Sequence, residues 1–278
     1  MLILPDPFIA EMKSLFTEFD RLSEWPSFLS AFQETPVYGI RSNTLKIAGS
    51  DLRRYLIRET GLPESGFSPV PWAEDGFYYP ENLQPGKLAA YAAGLYYIQE
   101  PSAMLPAQVL NASPGQRVLD LCAAPGGKAT RIAADMKGSG LLWANEISAE
   151  RARALLRNVE LSGCPKAVIT QETPERLAAV LPEYFDRILV DAPCSGSGMF
   201  RRDPASVKSW LAYGSEPCAE LQRNILEAAW TMLAPGGRLV YSTCTFSIAE
   251  NEAVIAGFRA NHSDCRILPA GYRPGVAE

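Results

Sequence analysis

The sequence predicts an α/β protein in which a doubly wound, Rossmann-like sheet follows a smaller N-terminal α/β domain. Two observations lead to this prediction. After residue 115, short apolar runs alternate regularly with helical stretches, and before it the pattern is irregular and interrupted by prolines. Strands that alternate with helices form parallel sheets, because two parallel strands need a crossover connection between them. We place the domain boundary after residue 88, so that the domains span 1–88 and 89–278.

Five apolar runs after residue 115 have the length of buried strands. They lie at 117–121, 141–145, 167–170, 186–191 and 237–243. The stretches between them have the apolar spacing of amphipathic helices. These helices are predicted at 128–136, 148–161, 174–181 and 217–233, with Ser148 as a start signal for the second and Pro235-Gly236-Gly237 as a stop signal after the fourth.

The N-terminal part carries weaker signals of the same kinds. Apolar spacing predicts helices over 6–33 and 50–60, and the stretch 37–47 is predicted as a strand between them. From Arg41 to Arg58 there are five basic residues against one acid. A solvated helix face and a contact surface for a polyanion are equally good interpretations of this local charge.

Composition limits the class of protein. Of 278 residues, 47% are apolar and 21% are charged, which is typical of a globular protein and excludes a disordered or fibrous chain. The 26 basic residues against 31 acidic ones give a net charge of −5. The chain as a whole therefore lacks the basic signature of many nucleic-acid-binding proteins, and only a local basic surface is compatible with such a partner.

Cysteine and histidine usage predicts neither a metal site nor a disulfide framework. The six cysteines include no CxxC pair and His262 is the single histidine, so a zinc site is not expected. The first residues contain Pro5 and Pro7 where a signal peptide needs an unbroken apolar stretch, and the longest apolar run, 88–98, is too short to span a bilayer. We expect a cytoplasmic protein with reduced thiols and no membrane partner.

The segment DLCAAPGGKAT (120–130) follows the first predicted strand and opens a helix, which is where doubly wound folds bind ligands. Its glycines let the backbone approach a ligand, and the free N–H groups of a helix start attract a carboxylate. Its spacing is neither GxGxxG nor that of a phosphate-binding loop. We therefore predict S-adenosylmethionine, a nucleoside that carries an amino-acid carboxylate, rather than NAD or ATP.

Glu146 ends the next strand and is expected to accept hydrogen bonds from ribose hydroxyls, although an acid at a helix start also interacts favourably with the helix dipole.

Two cysteines follow the fourth and fifth predicted strands. The segment DAPCSGSG (191–198) places Asp191 at the tip of the fourth strand and Cys194 three residues later, and YSTCTFS (241–247) places Cys244 after the fifth. A cysteine alone is more often a small buried hydrophobe than a nucleophile. Two cysteines at strand tips, each among polar neighbours, favour a site in which both face the same crevice.

Several segments resemble the signature blocks of the Nop/Sun family of RNA cytosine-5 methyltransferases. They are DLCAAPGGKAT, NEISAERARALLRN, DAPCSGSGMFRRDP and YSTCTFSIAENE, together with IRSNTLK (40–46) and YIQEPSAMLPAQVL (97–110). The similarity covers nearly the whole chain and is strongest to the bacterial members that modify 16S ribosomal RNA. It implies a methyltransferase sheet and transfer of a methyl group from S-adenosylmethionine to carbon 5 of a cytidine in RNA.

The resemblance implies covalent catalysis by the two cysteines. Cys244 matches the cysteine that adds to carbon 6 of cytosine, Cys194 matches the one that assists product release, and Asp191 matches a residue that hydrogen-bonds the base near ring nitrogen 3. Carbon 5 is too electron-poor to take a methyl cation directly, and addition of a thiolate to carbon 6 makes it nucleophilic. DNA cytosine-5 methyltransferases use the cysteine that follows the proline, so the opposite assignment, with Cys194 as the nucleophile, stays open.

The resemblance also assigns contacts to the cofactor. They are Cys122, Ala123, Ala124, Pro125, Gly126, Gly127, Lys128, Glu146 and Asp191. Lys128 is expected to support the cofactor loop rather than to contact RNA. Where the family usually has an aspartate after the third strand, this chain has Glu172 and Thr173, and one of the two is expected to replace it.

The expected macromolecular partner is RNA, and the candidate contacts are Arg41, Lys46, Arg201 and Arg202. Carbons 5 and 6 must be accessible, so we expect a single-stranded or flipped cytidine, bound with strong salt dependence. Transfer RNA is the alternative to ribosomal RNA.

Two other classes of function are disfavoured. A methyltransferase for amines commonly has an Asn/Asp-Pro-Pro-aromatic block after the fourth strand, which this chain lacks. A non-catalytic RNA-binding assembly factor has no need to retain both cysteines. The family fold usually closes with further strands and often carries another RNA-binding domain, so a truncated C-terminal end and a minimal variant both stay open. The sequence predicts no oligomeric state.

Overall fold

The computed structural model describes residues 2–270. Its helices are α1 (Asp6–Glu18), α2 (Trp25–Ala31), α3 (Gly49–Thr60), α4 (Ala89–Ala92), α5 (Leu105–Leu110), α6 (Gly127–Asp135), α7 (Ala149–Ser162), α8 (Pro174–Val180), α9 (Ala205–Tyr213), α10 (Glu216–Met232) and α11 (Glu252–Asn261). Its strands are β1 (Tyr38–Ser42), β2 (Pro69–Val70), β3 (Ala73–Tyr79), β4 (Tyr96–Ile98), β5 (Arg117–Asp120), β6 (Leu141–Asn145), β7 (Ala167–Thr170), β8 (Phe185–Asp191) and β9 (Leu233–Ser242). The chain forms two compact units, the first from 2–36, 192–224 and 242–265, the second from 37–191, 225–241 and the described residues after 265.

The second unit contains a five-stranded sheet with the strand order β7-β6-β5-β8-β9. The pairs β5–β6, β5–β8 and β6–β7 are parallel. Val118, Leu142 and Leu189 of this sheet are fully buried and pack with Ile132 of α6 and Leu155 of α7. The predicted doubly wound, Rossmann-like sheet is therefore confirmed, and each of its predicted strands and helices forms with ends shifted by a few residues.

The second unit also contains a four-stranded antiparallel sheet with the order β2-β3-β1-β4. The sequence predicted β1 and α3 but not β2, β3 and β4, because the prolines between residues 63 and 85 are typical of irregular structure. Pro69 lies in the edge strand β2, where a missing N–H costs no bond to a neighbouring strand. The strand predicted over 37–47 ends at Ser42, because the next residues form a turn in which Lys46 N and Ile47 N donate to Asn43 O. The smaller N-terminal α/β domain is confirmed as a feature of the fold, and the boundary at residue 88 stays a prediction.

The first unit is helical and has its own aromatic core. The predicted helical stretch 6–33 forms α1 and α2 with a break between them. Phe8 of α1 is 1% exposed and packs edge-on against Phe200 and Trp210, with ring centroids 5.1 and 5.8 Å away. Aromatic pairs in this geometry stabilise a core beyond their buried area. This core holds the segment that follows β8.

Within residues 2–270, no helix combines the length and the apolar character that crossing a membrane requires. The same residues contain no group of three or more His, Cys, Asp or Glu side chains placed to hold a metal ion.

Asn43 connects the small sheet of the second unit to helix α7, which packs on the large sheet. Its amide nitrogen donates to the carbonyl oxygens of Gly94 and Ser162, both at 2.8 Å, and its amide oxygen accepts from Leu45 N. Gly94 precedes β4 and Ser162 ends α7, so one side chain links the small sheet to a helix of the large one. Asn43 is buried, and few water molecules are available to replace these bonds.

Replacement of Asn43 by alanine is expected to lower the free energy of unfolding by about 1–3 kcal/mol, because two buried carbonyl groups lose their donor. Urea unfolding followed by circular dichroism measures this loss. Thr44→Ala, at the exposed neighbouring residue, is the matched control. A loss no larger than that of the control would contradict the connecting role of Asn43.

Candidate active site

The cofactor loop predicted from the sequence lies between β5 and α6. Gly126 has a φ of 112°, which favours glycine, and an added Cβ would approach the side chains of Asn158 and Leu155 to 3.3 Å. Asn158 of α7 donates to Pro125 O at 2.7 Å, and Arg151 of α7 donates to Ala124 O at 3.0 Å. Helix α7 therefore fixes the shape of the loop from outside. The predicted residues from Cys122 to Lys128 follow one another through this loop and the first turn of α6.

Cys122 in this loop is not a candidate nucleophile. Burial, together with the nearby carboxylates of Asp120 and Glu146, raises the pKa of its thiol well above the ordinary range. The thiol therefore stays protonated at neutral pH. This position fits a packing and cofactor-contact role, as the resemblance implies.

Three carboxylates and one ammonium group lie around the loop. Lys128 Nζ is 2.6 Å from Asp191 Oδ2 at the end of β8. Glu146 is 2% exposed, accepts from Ser148 N at 3.0 Å, and forms an ion pair with Arg151. Asp120, at the end of β5, is fully buried and is within electrostatic range of the carboxylates of Asp191 and Glu146.

Asp120 was missed as a site residue by the sequence analysis, although its position at the tip of a central strand was a usable signal. Neither of its carboxyl oxygens has a hydrogen-bond partner among the described residues. Burial raises its pKa to about 7, and the charge of Lys128 opposes this shift. A buried carboxyl group without partners is costly, and its presence is typical of a binding site that a ligand completes.

We call the cofactor loop together with Asp120, Glu146, Asp191 and Lys128 the acidic cradle. Its charges fit the predicted cofactor. S-adenosylmethionine carries a sulfonium and an ammonium cation, and three carboxyl groups lie with the two cations Lys128 and Arg151 around the loop. The phosphate groups of NAD or ATP would meet carboxylates there and be repelled. The residues present therefore favour a cationic nucleoside over a phosphorylated one.

The pair Glu172 and Thr173 lies after β7. Thr173 caps α8 by accepting from Arg176 N at 3.3 Å, and the Glu172 carboxylate is 3.2 Å from the Arg176 guanidinium. The side chain of Asn145, at the end of β6, bonds both the N–H and the carbonyl of Glu172. The backbone at this position is thus fixed to the neighbouring strand, and its contact with the cofactor stays a prediction.

The structure brings the two predicted cysteines together. Cys194 and Cys244 lie in the loops after β8 and β9, and their Sγ atoms are 2.9 Å apart. The backbone N–H of Cys244 also donates to Cys194 Sγ at 3.2 Å. Cys244 is exposed and Cys194 is half-buried. The Cys244 side chain, and then burial, raise the pKa of Cys194 far above its ordinary range.

Hydroxyl groups, which the sequence analysis did not single out, join the two cysteine loops. Ser197 Oγ accepts from Phe246 N at 2.9 Å and lies 3.0 Å from Thr245 Oγ1. Gly198 N donates to Cys244 O at 2.9 Å, and a Cβ at Gly198 would lie 2.8 Å from that oxygen. These serines, threonines and glycines are visible in the two motifs, but their pairing requires the folded loops.

Arg41 is not an RNA contact in this structure, which corrects the prediction. It is 2% exposed, and burial lowers its pKa to about 10. Its guanidinium donates to Gln99 Oε1, Gly127 O and Thr130 Oγ1, each at 2.9 Å. Arg41 therefore joins the small sheet to the first turn of α6, directly after the cofactor loop.

The other predicted RNA contacts differ in how much of their side chain is engaged. Lys46 is exposed, and its ammonium donates to the carbonyls of Ala93 and Leu161. Arg201 donates to Ala31 O at 2.8 Å, and Arg202 is exposed. Their contact with RNA stays a prediction.

The sheet order defines a Rossmann-like fold, and solved structures place this fold among methyltransferases. A methyltransferase homolog from Pyrococcus horikoshii is 33% identical, covers 87% of this chain and 75% of its own, and superposes with a TM-score of 0.73. NSun6 from Pyrococcus horikoshii, solved with SFG, an analogue of S-adenosylmethionine, has the same fold with a TM-score of 0.78 at 22% identity, over 93% of this chain and 88% of that one.

Residues 107–276 match the model of the 16S rRNA methyltransferase RsmB/F family, and residues 4–101 match the N-terminal domain of the 16S rRNA methyltransferase RsmF. The ribosomal RNA small subunit methyltransferase F of Escherichia coli is 39% identical over 96% of this chain and 56% of its own length. The chain belongs to the RsmB/F family, which confirms the predicted relationship to the bacterial Nop/Sun enzymes, and membership of a methyltransferase family supports S-adenosylmethionine as the cofactor. It spans about half the length of this curated relative.

Asp120 gives the cradle a specific pH dependence. Its folded-state pKa of about 7 lies above the ordinary value of 3.8, so the neutral form favours the folded state. This contribution is fully present below pH 4 and is lost as the pH rises through 7. Asp120→Asn cannot ionise, so wild type is expected to lose stability relative to this variant between pH 4 and 8, by on the order of 1.4 kcal/mol per unit of pKa difference.

Urea unfolding of both proteins without cofactor across this pH range measures the difference. Asp264→Asn, at an exposed residue, is the control and is expected to follow wild type. A constant difference between wild type and Asp120→Asn would contradict the raised pKa.

Proposed function

We propose that this protein transfers a methyl group from S-adenosylmethionine to carbon 5 of a cytidine in small-subunit ribosomal RNA, through a covalent adduct with Cys244. The observation that carries the proposal is the 2.9 Å contact between the sulfurs of Cys194 and Cys244. Membership of a 16S rRNA methyltransferase family supports the methyl donor and the class of RNA. Fold alone does not determine function. The two cysteines are not needed for the fold, and they are the reactive groups that a covalent mechanism requires.

The protonation of the pair supports Cys244 as the nucleophile. The Cys244 side chain and burial raise the pKa of Cys194, so in this pair Cys194 is assigned the protonated, hydrogen-bonding role and Cys244 the nucleophilic one. The Cys194 thiol then donates a hydrogen bond to the Cys244 thiolate and stabilises it. Cys244 is also the more exposed of the two, as attack on a macromolecular substrate requires.

Attack converts the base into a nucleophile. The Cys244 thiolate adds to carbon 6, the carbon 5–carbon 6 double bond opens, and electron density moves to carbon 5. S-adenosylmethionine, when bound, supplies an electrophilic methyl group. Asp191, paired with Lys128 at 2.6 Å, is assigned to the ring nitrogen 3 and amino-group edge of the base, where it orients the cytosine.

Release of the product follows from the same pair of sulfurs. Once Cys244 is bonded to carbon 6, its hydrogen bond and its charge no longer raise the pKa of Cys194, and the N–H groups of Cys244 and Gly196 then act against the remaining effect of burial. The Cys194 proton passes to solvent, and the thiolate then takes the proton from carbon 5. The electrons of that C–H bond re-form the double bond, and the electrons of the C–S bond return to Cys244.

The cofactor is assigned to the cradle around the loop. The residues are Cys122, Ala123, Ala124, Pro125, Gly126, Gly127, Lys128, Glu146 and Asp191, with Glu172 or Thr173 beside them, and we add Asp120. Ile147, directly after the ribose-binding Glu146, is 59% exposed and offers an apolar surface to a purine ring. Lys46, Arg201 and Arg202 are assigned to RNA, which must present a single-stranded or flipped cytidine.

The cysteine assignment predicts opposite behaviours for two variants. Wild-type protein, incubated with labelled S-adenosylmethionine and RNA from cells that lack the enzyme, is expected to form 5-methylcytidine. Cys244→Ala is expected to form neither product nor adduct, because no thiolate can add to carbon 6. Cys194→Ala is expected to accumulate a denaturant-stable RNA–protein adduct, because carbon 5 keeps its proton.

Cys265→Ala, at a cysteine outside both loops, is the control for loss of a thiol. Exchange of the two behaviours would make Cys194 the nucleophile. Methyl transfer by Cys244→Ala at the wild-type rate would rule out the covalent route, and methylation of transfer RNA alone would replace the proposed substrate.

A further inference from the structure

A buried carboxylate is hydrogen-bonded to the loop that contains Cys194. Glu250 precedes α11 and is 0% exposed. Its Oε2 accepts from Ser195 N at 2.9 Å and from Gln222 Nε2 at 3.0 Å, and its Oε1 accepts from the hydroxyl of Ser195. The carboxylate therefore holds the residue directly after Cys194 by both its backbone and its side chain.

Gln222 holds the residue on the other side. This side chain of α10 is also 0% exposed, and its Nε2 donates to Pro193 O at 2.8 Å as well as to Glu250. The peptide groups before and after Cys194 are thus both bonded to one buried pair. Gln222 Oε1 has no partner among the described residues, so the amide is oriented for its two donor bonds at the cost of its acceptor.

The second cysteine loop is bonded to the first at three residues, and one of these contacts joins Thr245 Oγ1 to Ser195 Oγ at 2.9 Å. Cys244 O accepts from Gly198 N, and Phe246 N donates to Ser197 Oγ. These last two bonds do not involve Glu250 or Gln222, so only the Thr245 contact depends on the buried pair, and it does so indirectly through Ser195. Loss of the buried pair should therefore displace Cys194 more than Cys244.

Burial of a carboxylate is expensive, and an apolar side chain would fill the same space at lower cost. All the bonds of Glu250 given above converge on three consecutive residues around Cys194, through Ser195 directly and through Gln222 to Pro193. We propose that Glu250 and Gln222 are positioning residues that fix Cys194 for product release. This inference rests on the proposed function and adds two residues that act through Cys194 without contacting the substrate.

The first experiment separates attack from release. Glu250→Ala and Gln222→Ala are expected to lower kcat about tenfold, the effect of losing hydrogen bonds to a charged group, and to leave KM for S-adenosylmethionine unchanged. The RNA–protein adduct is expected to accumulate in both variants, as in Cys194→Ala, because Cys244 still attacks. Glu252→Ala, at an exposed acid two residues away, is the control and should resemble wild type.

Glu250→Gln is the conservative variant. Its carbonyl oxygen can still accept from Ser195 N and Gln222 Nε2, and the Ser195 hydroxyl can rotate to accept from its amide. It should recover most of the turnover without accumulating adduct. Equal losses of adduct formation and turnover in the alanine variants, or an unchanged kcat, would overturn the proposal.

The second experiment needs neither RNA nor activity. Each protein is treated with iodoacetamide, and peptide mass spectrometry gives the alkylation rate of Cys194 relative to that of Cys265 in the same molecule. This ratio is expected to change about tenfold in Glu250→Ala and Gln222→Ala and to return toward the wild-type value in Glu250→Gln. An unchanged ratio in all three would overturn the proposal.

The two experiments also separate the two claims. Wild-type protein that transfers no methyl group to RNA would contradict the proposed function, and the alkylation ratio would still decide whether Glu250 positions Cys194. Circular dichroism checks that each variant is folded. If Glu250→Ala does not fold, Gln222→Ala and Glu250→Gln give the answer.

Discussion

The contact between the sulfurs of Cys194 and Cys244 is the interaction on which the proposed chemistry depends. It arises from the ends of two neighbouring strands, which are joined by the bond from Ala192 N to Ser242 O at 2.9 Å. From those ends the chain reaches Cys194 and Cys244 within two residues each. The sulfurs meet only if both loops keep their shape, and this explains the dense bonding among their serines and threonines and the requirement for Gly198.

A second constraint is electrostatic and acts around the cofactor loop. Asp120, Glu146 and Asp191 bring carboxyl groups to the ends of three strands, and Lys128 and Arg151 are paired with only two of them. Such a cradle is unfavourable in the empty protein, since burial already raises the pKa of Asp120 to about 7. In the proposed function a cationic cofactor relieves that cost, so the charges that lower the stability of the fold would also select the ligand.

The sequence predicted the features that depend on local periodicity and on position along a strand. The parallel sheet, the cofactor loop after β5 and the two cysteine loops all follow from apolar runs that end in polar motifs. Strands β2 to β4 were missed because prolines usually interrupt strands, and the edge position that makes Pro69 harmless is a property of the sheet.

Contacts between side chains that are far apart in the sequence also could not be predicted from local sequence patterns. The basic residues near Arg41 favoured a charged surface at this position. Its hydrogen-bond partner Gly127 is 86 residues away, and the bond between them places the guanidinium in the interior. Glu250 and Gln222 are separated by 28 residues, and Glu250 and Ser195 by 55. A sequence shows such residues only as an acid before a helix and an amide within one.

The release of hydrogen from carbon 5 tests the central claim most directly. Small-subunit ribosomal RNA made with cytidine tritiated at carbon 5 is incubated with the protein and S-adenosylmethionine, and tritium in water is compared with methyl groups in RNA. If carbon 5 is methylated through the Cys244 adduct, the two amounts rise together in equal numbers and Cys244→Ala gives neither. Methyl groups incorporated while the tritium stays in the RNA would place the modification elsewhere and contradict the account.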